Sequence, residues 1–481
     1  MLFQTPIFFL FFAIAFAIYW LFGPRYRLQN AFLLVCSYVF YGWWDWKLLG
    51  LIAAACTCDF LVTLAINASE HEKVRHRLLL ISMLFNLSVL GFFKYYNFFA
   101  RELETLVRLL GGPIGDLRLD IILPVGVSFY TFQTMSYTID VYRRRIQPIR
   151  DPVAYFAYVA FFPQLVAGPI ERASHLLPQF VSVRHFSYAT AVHGCRLILW
   201  GFFKKLIVAD LCGEVVDQVF NDYSTQQGWV MLFACTGFAF QIYGDFSGYS
   251  DIARGLALTL GFDLMQNFKF PYFSRDPAEF WRRWHISLST WFRDYVYLPL
   301  GGNRVGNCRR SVNIISVFAI SGLWHGANWT FIAWGLLNGL LVLPFVLSQG
   351  RSTKKPVHQT GWQSLCELMS ITLTFASICT TWILFRSANI GDAWMFTQRM
   401  FTECIDHPGG LLVAVRRFIL REPSTWAVAC LVLAEWYSYR QKFSFESVPR
   451  PIRWMLYLIM SSIVAWLAFY RDATEFIYFQ F

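Results

Sequence analysis

Charged residues are scarce in this chain of 481 residues: Asp, Glu, Lys and Arg together make up 15% of it, against roughly 25% in a soluble domain. Hydrophobic residues account for 56%, including 49 Phe and 19 Trp. A soluble protein of this length has too little interior to bury so much apolar surface. The composition therefore excludes an ordinary soluble domain and indicates a protein whose exterior faces lipid.

Several common catalytic and metal-binding patterns are absent. The chain has no Walker A pattern, no GxGxxG that opens a helix, no GxSxG and no HExxH, which excludes the enzyme classes that carry these signatures. The 11 cysteines form no CxxC pair, and several lie in apolar runs, where a thiol behaves as a small hydrophobe. We therefore predict no disulfide framework, no metal centre and no bound cofactor, which leaves base-assisted group transfer.

The formal net charge of +11 does not indicate a nucleic-acid-binding protein, because the basic residues lie in short clusters between apolar runs. This pattern is typical of loops that meet an anionic cytoplasmic leaflet. Arg25 and Arg27 follow the first run, and a second cluster lies at 73–77, so both loops are predicted to be cytoplasmic and the N-terminus outside. The segments 143–145 and 282–310 are placed on the cytoplasmic side by the same rule.

Apolar runs of membrane-spanning length recur along the chain. A span requires about 20 mostly apolar residues, and no linker, low-complexity tract or repeat divides the sequence. We therefore predict one all-α integral membrane domain over residues 1–481, with roughly 10–12 spans. The segment 121–141 contains Pro124 and Gly126 and is predicted to enter the bilayer without crossing it. The candidate runs are 7–22, 31–44, 48–66, 78–93, 153–166, 192–209, 229–243, 311–323, 329–347, 369–385, 426–436 and 454–470.

Two histidines have unusual surroundings. His325 lies between two very apolar runs and is flanked by Gly322 and Gly326, whereas His285 lies at the start of the basic segment 282–310. Ionisable groups within apolar segments are costly and are functional candidates, and a neutral imidazole can accept a hydroxyl proton. The alternative is a structural histidine that bridges helices. The glycines favour catalysis for His325, because they let a substrate approach the ring; for His285 the structural alternative keeps more weight.

Arginines of the segment 282–310 are candidates for donor binding. Arg282, Arg283 and Arg304 belong to this cluster. Arginine side chains and exposed backbone N–H groups suit a phosphate-bearing ligand such as coenzyme A. Positive-inside anchoring explains the same residues without any ligand, and both interpretations stay open.

A polar stretch interrupts the apolar run that begins at position 229. Gly244 and Gly248 have GxxxG spacing, which allows close packing of helices. Asp245, Asp251 and Arg254 in the same stretch either line a polar cavity or pair with one another. The two aspartates are therefore further candidates for substrate binding.

Seven segments carry a specific combination of motifs. They are LPVGVSFYTFQ at 123–133, FPQLVAGPI at 162–170, DFSGYSD at 245–251, FWRRWHIS at 280–287, RDY at 293–295, PLGGNR at 299–304 and LWHGANW at 323–329. With these segments the chain resembles the membrane-bound O-acyltransferase (MBOAT) family, and most of all its branch that O-acetylates bacterial alginate. WILFR at 382–386 is a weaker match, and the resemblance ends near Met400.

The resemblance implies a multi-span helical bundle of MBOAT type with re-entrant segments and a central tunnel, where funnels from both faces meet at a histidine. His325 matches the essential histidine of the family, and His285 matches its second active-site position. Asn328 lies in a matching segment and joins the candidates for donor or substrate binding.

The resemblance also implies a reaction. A cytoplasmic donor, expected to be acetyl-CoA, delivers its acetyl group across the bacterial inner membrane toward a hydroxyl of an exported polysaccharide of alginate type. A periplasmic SGNH-type acetyltransferase and the polysaccharide export machinery are the expected partners. Related members serve cellulose, peptidoglycan or the D-alanylation of teichoic acid, and the motifs do not separate these acceptors. A transporter or export scaffold is disfavoured, because the sequence shows neither repeat symmetry nor paired broken helices.

Overall fold

The computed structural model describes residues 1–348, 361–441, 448–470, 474, 476 and 477. Helices dominate these residues, and no β-strand occurs among them, which confirms the all-α prediction. The α-helices, numbered in chain order, are α1 (Pro6–Leu21), α2 (Tyr26–Asp45), α3 (Leu49–Ala68), α4 (Glu72–Leu90), α5 (Tyr96–Leu109), α6 (Val127–Tyr142), α7 (Pro152–Val159), α8 (Phe162–Leu165), α9 (Ala173–Phe180), α10 (Tyr188–Phe202), α11 (Asp210–Asn221), α12 (Gly228–Thr259), α13 (Pro277–Arg283), α14 (Ile286–Phe292), α15 (Asn307–His325), α16 (Trp329–Ser348), α17 (Gly361–Arg386), α18 (Ile390–Asp406), α19 (Gly410–Arg421), α20 (Pro423–Gln441) and α21 (Arg450–Tyr470). Short 3-10 or π-helical segments are Trp46–Leu48, Gly91–Tyr95, Phe203–Ala209, Pro271–Phe273, Arg293–Tyr297 and Gly302–Arg304.

The chain forms two compact units. The first comprises Met1–Ile198 and Ser250–Met265, and the second comprises Leu199–Tyr249 and Gln266–Phe481. The chain passes between the units within α10, within α12 and again between Met265 and Gln266. Both predicted histidines belong to the second unit, whereas Asp251 belongs to the first. The single domain over residues 1–481 stays a prediction.

Five helical stretches in the described part of the chain are long and apolar enough to cross a membrane. Several of the 10–12 predicted runs instead form helices that are shorter or more polar, such as α7 and α15, so fewer stretches meet this criterion than the sequence predicts. The five are Tyr26–Ala68, Glu72–Leu109, Trp329–Ser348, Ser364–Arg386 and Arg450–Tyr470, and α1 is apolar but shorter. These helices support a membrane-embedded protein, since each has at least the length that a bilayer core of about 30 Å requires.

A buried polar cluster joins α3, α4 and α6 in the first unit. The Asp59 carboxylate on α3 accepts hydrogen bonds from Ser82 and Asn86 on α4. Thr134 on α6 donates to Asn86 Oδ1 at 3.2 Å. All four side chains are buried. Because apolar helix surfaces gain little by packing on each other in lipid, such interhelical hydrogen bonds help to select the partners of a helix.

The segment 121–141 divides at Gly126. The residues before Val127 are not helical, and α6 then runs to Tyr142 with most of its side chains buried. The non-helical part of the predicted segment, residues 121–126, therefore precedes a helix that is enclosed by protein. Its entry into the bilayer stays a prediction.

The second unit contains a tight helical hairpin of α15 and α16. Gly322 on α15 and Gly335 on α16 face the backbone of the opposite helix: an added Cβ at either position would lie closer than 3.0 Å to a carbonyl oxygen, that of Phe331 or Phe318. Glycine lets helix backbones approach this closely. The contact matters for function, because His325 is the last residue of α15.

The GxxxG pair of α12 packs as its spacing predicts. A Cβ at Gly244 would lie 2.8 Å from Lys204 O, and one at Gly248 would lie 2.7 Å from Gly201 O. Both glycines therefore contact the backbone at the end of α10 and in the π-helical segment Phe203–Ala209. This close packing brings Lys205 next to α12.

Candidate active site

His325 ends α15 inside a cage of aromatic rings. Its side chain is 3% exposed. The imidazole centroid lies 5.0 Å from Trp324, 5.0 Å from Trp334 on α16 and 5.6 Å from Phe385 on α17, and all three rings stand nearly perpendicular to it. A site enclosed in this way excludes water and strengthens the electrostatic interactions made inside it.

His285 occupies the junction of α13 and α14. Its backbone has the left-handed conformation, with φ 42° and ψ 55°, which costs a non-glycine residue about 1–2 kcal/mol. The side chain is 1% exposed, and its ring lies 4.6 Å from Phe246. His285 lies outside the five membrane-spanning stretches. Burial lowers the pKa of His285 to about 3, because desolvation disfavours the imidazolium, so the ring is neutral at physiological pH.

The fold brings the two histidines together. Their ring centroids are 6.4 Å apart, and Trp324 contacts both rings, with centroids at 5.0 Å and 6.0 Å. A neutral imidazole carries one hydrogen-bond donor and one acceptor. Two rings at this separation are close enough to act on the same small bound group.

A cavity of about 280 Å³ opens beside His285. One wall comes from α13, α14 and the π-helical segment that follows, and the opposite wall comes from α15 and α16. Its apolar side includes Val317, Phe318 and Val342, and its polar side chains are Arg282, His285, Ser289, Arg293, Tyr297, Asn303 and Ser321. His325 is not among the lining residues. A mostly apolar cleft with a few convergent polar groups is typical of a site for a small organic ligand.

Of the predicted arginines, Arg282 lines this cavity. Arg283 is engaged elsewhere: its guanidinium pairs with Glu279 at 2.7 Å and lies over the ring of Tyr439. Arg304 is exposed in the turn Gly302–Arg304 and is not among the lining residues. The structure thus separates the three arginines into one at the cavity, one in an ion pair and one on the surface.

Asn328 caps the start of α16. Its Nδ2 donates to Ala388 O at 2.8 Å, and its Oδ1 accepts from Thr330 N at 3.2 Å. The residue holds the connection that follows His325, and it does not line the cavity. Its predicted role in substrate binding stays untested.

Asp245 is ion-paired in the interior of the second unit. Its Oδ1 lies 2.7 Å from Lys205 Nζ, and its Oδ2 accepts a hydrogen bond from Ile477 N at 2.7 Å. Lys205 also binds Asp210 at 3.0 Å. The structure therefore pairs this aspartate with Lys205, a residue outside the stretch 245–254, and its role in substrate binding stays a prediction. In the first unit, Arg254 donates to Leu264 O at 3.2 Å.

Sequence reasoning missed several lining residues. Ser289 follows His285 by four positions on α14, and Ser321 precedes His325 by four positions on α15. Residues at i and i+4 share a helix face, so this spacing was a usable signal. Tyr297 and Asn303 had no such signal. They are joined by a hydrogen bond of 2.7 Å between Tyr297 Oη and Asn303 Oδ1.

Comparison with known proteins agrees with this arrangement. The model of the MBOAT, membrane-bound O-acyltransferase family, matches residues 39–365, which include both histidines and the cavity. The chain is 39% identical over 406 residues to "Probable alginate O-acetylase AlgI" of Azotobacter vinelandii, covering 84% of this chain and 78% of that protein. It is 33% identical over 426 residues to "Peptidoglycan O-acetyltransferase" of Helicobacter pylori, covering 82% and 78%.

A more distant relative is "Teichoic acid D-alanyltransferase" of Streptococcus thermophilus, 28% identical over 302 residues, covering 57% of this chain and 70% of that protein. All three relatives are named for the transfer of an acyl group. The family match over residues 39–365 indicates an acyltransferase. The apolar helices of spanning length indicate that it is a membrane protein. The chain belongs to the membrane-bound O-acyltransferase family.

Proposed function

We propose that this O-acyltransferase moves an acetyl group from acetyl-CoA toward a hydroxyl of an exported polysaccharide of alginate type, with His325 as the general base. The observation that carries this proposal is the pair of buried imidazoles 6.4 Å apart beside an apolar cavity with arginine, serine and tyrosine side chains. The similarity to alginate O-acetylases over 84% of the chain supports the choice of acetyl group and acceptor.

The reaction needs a base, a bound thioester and a dry site. In our proposal the neutral imidazole of His325 takes the proton of the acceptor hydroxyl while the hydroxyl oxygen attacks the thioester carbonyl. The carbon–sulfur bond then breaks, and the sulfur of coenzyme A takes the proton from the His325 imidazolium and leaves as the thiol. His285, neutral and next to the cavity, is proposed to orient the thioester, so its loss affects both donor binding and rate.

The mouth of the cavity suits the phosphates of the donor. Arg282 and Arg293 are exposed residues that line the cavity, and guanidinium groups bind phosphate oxygens through charge-assisted hydrogen bonds. In the proposed arrangement the acyl end of the donor points toward the histidines and the nucleotide end stays near the arginines. Arg304 is a second candidate contact at the protein surface.

Charge reversal distinguishes these arginines. In our proposal, Arg282→Glu raises the KM for acetyl-CoA at least tenfold, because it places a carboxylate beside the phosphates. Arg304→Glu, its matched surface variant, tests whether donor contacts extend beyond the cavity. If both variants keep the wild-type KM, the cavity does not receive coenzyme A.

The cellular setting extends the same proposal. We place the protein in a bacterial inner membrane as a multi-pass enzyme. A periplasmic SGNH-type acetyltransferase is proposed to receive or complete the transfer, together with the polysaccharide export machinery. This setting rests on the relatives named for bacterial envelope and exopolysaccharide polymers.

Removal of the base tests the function directly. His325→Ala is expected to accumulate normally and to lower labelled acetate on the secreted polymer by about 10²–10⁴-fold, the usual cost of losing a general base. His193→Ala, an exposed histidine of α10, is the control and should transfer normally. Transfer by His325→Ala above about a tenth of the normal rate would make His325 a packing residue. Label on peptidoglycan or teichoic acid in place of the secreted polymer would identify a different acceptor.

A further inference from the structure

The left-handed turn at His285 requires stabilisation by its surroundings. Among non-glycine residues in the described ranges, positive φ angles occur only at Arg144, Phe270 and His285. This backbone region is disfavoured for residues with a Cβ, and it persists at functional sites where neighbouring interactions hold it. The turn also ends α13 and begins α14, because His285 O accepts the first helical hydrogen bond, from Ser289 N at 3.0 Å.

Asn267 makes hydrogen bonds to both residues that follow His285. Its backbone oxygen accepts from Ile286 N at 2.9 Å. Its side-chain Oδ1 accepts from Ser287 N at 3.3 Å and from Ser287 Oγ at 2.6 Å. Asn267, His285 and Ser287 are all buried, so water does not compete for these bonds. One amide oxygen therefore holds the segment immediately after the histidine.

The neighbour of Asn267 contacts the histidine ring. Phe268 lies nearly parallel to the His285 imidazole, with centroids 6.5 Å apart and planes at 16°. It also meets Trp284 edge-on at 5.0 Å. Lys269 N donates to Arg283 O at 3.0 Å, so the segment 267–269 runs alongside the whole turn and contacts it on both the backbone and the ring.

We propose that Asn267 is the positioning residue for His285. Its side-chain oxygen accepts two hydrogen bonds from Ser287 and thereby keeps the ring centroid of His285 6.4 Å from that of His325. This inference rests on the proposed role of His285 in transfer. Without the Asn267 side-chain oxygen, Ser287 loses the hydrogen bonds that its N and Oγ make at 3.3 Å and 2.6 Å. The turn then relaxes toward the right-handed or extended region, and the ring moves relative to the cavity.

The test is kinetic and uses membranes of the native cells with labelled acetyl-CoA. Asn267→Ala is expected to lower kcat by roughly 10–100-fold, the scale of a misplaced catalytic group, with the KM for acetyl-CoA within about twofold. Asn267→Asp retains an oxygen at the same position and should recover most of kcat. Rates are expressed per molecule of enzyme, so a change in abundance does not affect them.

Two further variants separate positioning from folding. Ser287→Ala removes the hydroxyl that donates to Asn267 and should lower kcat in the same direction but less, since Ser287 N keeps its bond. Asn30→Ala is the control for the loss of a buried amide: Asn30 donates to Phe180 O at 2.6 Å in the first unit. It should lower abundance without changing kcat per molecule.

The outcomes distinguish this inference from the proposed function. Wild-type kcat in Asn267→Ala beside an impaired His285→Ala would overturn the positioning role alone. Full transfer by His285→Ala would overturn the role of His285 and this inference with it. An equal loss of kcat in Asn267→Ala and Asn267→Asp would also contradict it, because the oxygen is the group that the two variants do not share.

Discussion

Close packing of α15 on α16 should be a condition of catalysis, and Gly335→Ala tests it. A Cβ at Gly335 would lie closer than 3.0 Å to Phe318 O, well within the van der Waals contact distance of the two atoms. Ordinary contact begins near 3.4 Å, so the helices must separate by about 1 Å. The contact lies between the backbones of two helices, so it cannot be relieved by a side chain that changes its rotamer.

The expected consequence has two parts. Overpacking of this kind costs typically about 1–3 kcal/mol, which should lower abundance or thermal stability in detergent without preventing folding. The separation also displaces His325, which ends α15, relative to Trp334 and to His285. A misplacement of about 1 Å can cost roughly 10²-fold in rate, so transfer per molecule should fall by about that factor.

Gly339→Ala is the matched control. Gly339 lies one turn further along α16, and the nearest atoms to its added Cβ would be Phe318 Cβ at 3.2 Å, Ile315 Cα at 3.4 Å and Phe318 Cγ at 3.6 Å. A shift of a few tenths of an ångström relieves these contacts. The assay compares acetate transferred per molecule in the two variants. Equal activity in both would refute the argument that the hairpin spacing sets the position of His325.

Three other predictions concern stability and topology. Asp245→Ala leaves the buried Lys205 with Asp210 as an acid partner but removes the acceptor of Ile477 N, so it should lower the free energy of unfolding by about 1–3 kcal/mol. Asp217→Ala, which breaks an exposed pair, should cost at most about 1 kcal/mol, and thermal unfolding in detergent compares the two variants. Hydrogen bonding to the Glu171 carboxylate raises the pKa of His175 above its usual value near 6.5, so the stabilisation is complete at lower pH and is lost as pH rises through the raised pKa. His175→Gln should remove that pH dependence from the unfolding temperature. A cysteine placed at position 307 should resist impermeant thiol reagents applied outside intact cells, because its loop is predicted to be cytoplasmic; strong labelling there would reverse the topology.

The membrane class and the helical fold follow from composition alone. Long apolar runs, few charges and basic clusters between the runs leave no other environment. The number of spans was harder to predict, because hydropathy does not separate a lipid-facing helix from one enclosed by protein. The helix α6 shows the difficulty: it belongs to an apolar segment, yet polar residues such as Gln133 and Thr134 are buried along it.

Candidate site residues differed in how well their sequence context predicted their surroundings. His325 stood out because its neighbours are apolar and small, and the structure encloses it as that context implies. Arg283 and Asp245 were candidates for ligand binding with a structural alternative left open, and each is paired with an opposite charge, Glu279 or Lys205. Whether a polar residue binds a ligand or a neighbour depends on three-dimensional proximity, which a single sequence does not contain.

The sequence by itself determined that this is a helical membrane protein with one histidine between apolar runs, a second at the start of a basic segment, and small residues where helices must approach. Only the tertiary structure decided that the two imidazoles lie 6.4 Å apart. In our interpretation that distance depends on the left-handed turn at His285, on the hydrogen bonds of Asn267 to Ile286 and Ser287, and on the packing of α15, which ends at His325, against α16. The Asn267 bonds and the hairpin contacts join residues of different elements, and the left-handed turn persists only where its neighbours hold it, so packing and burial decide all three and local propensity does not.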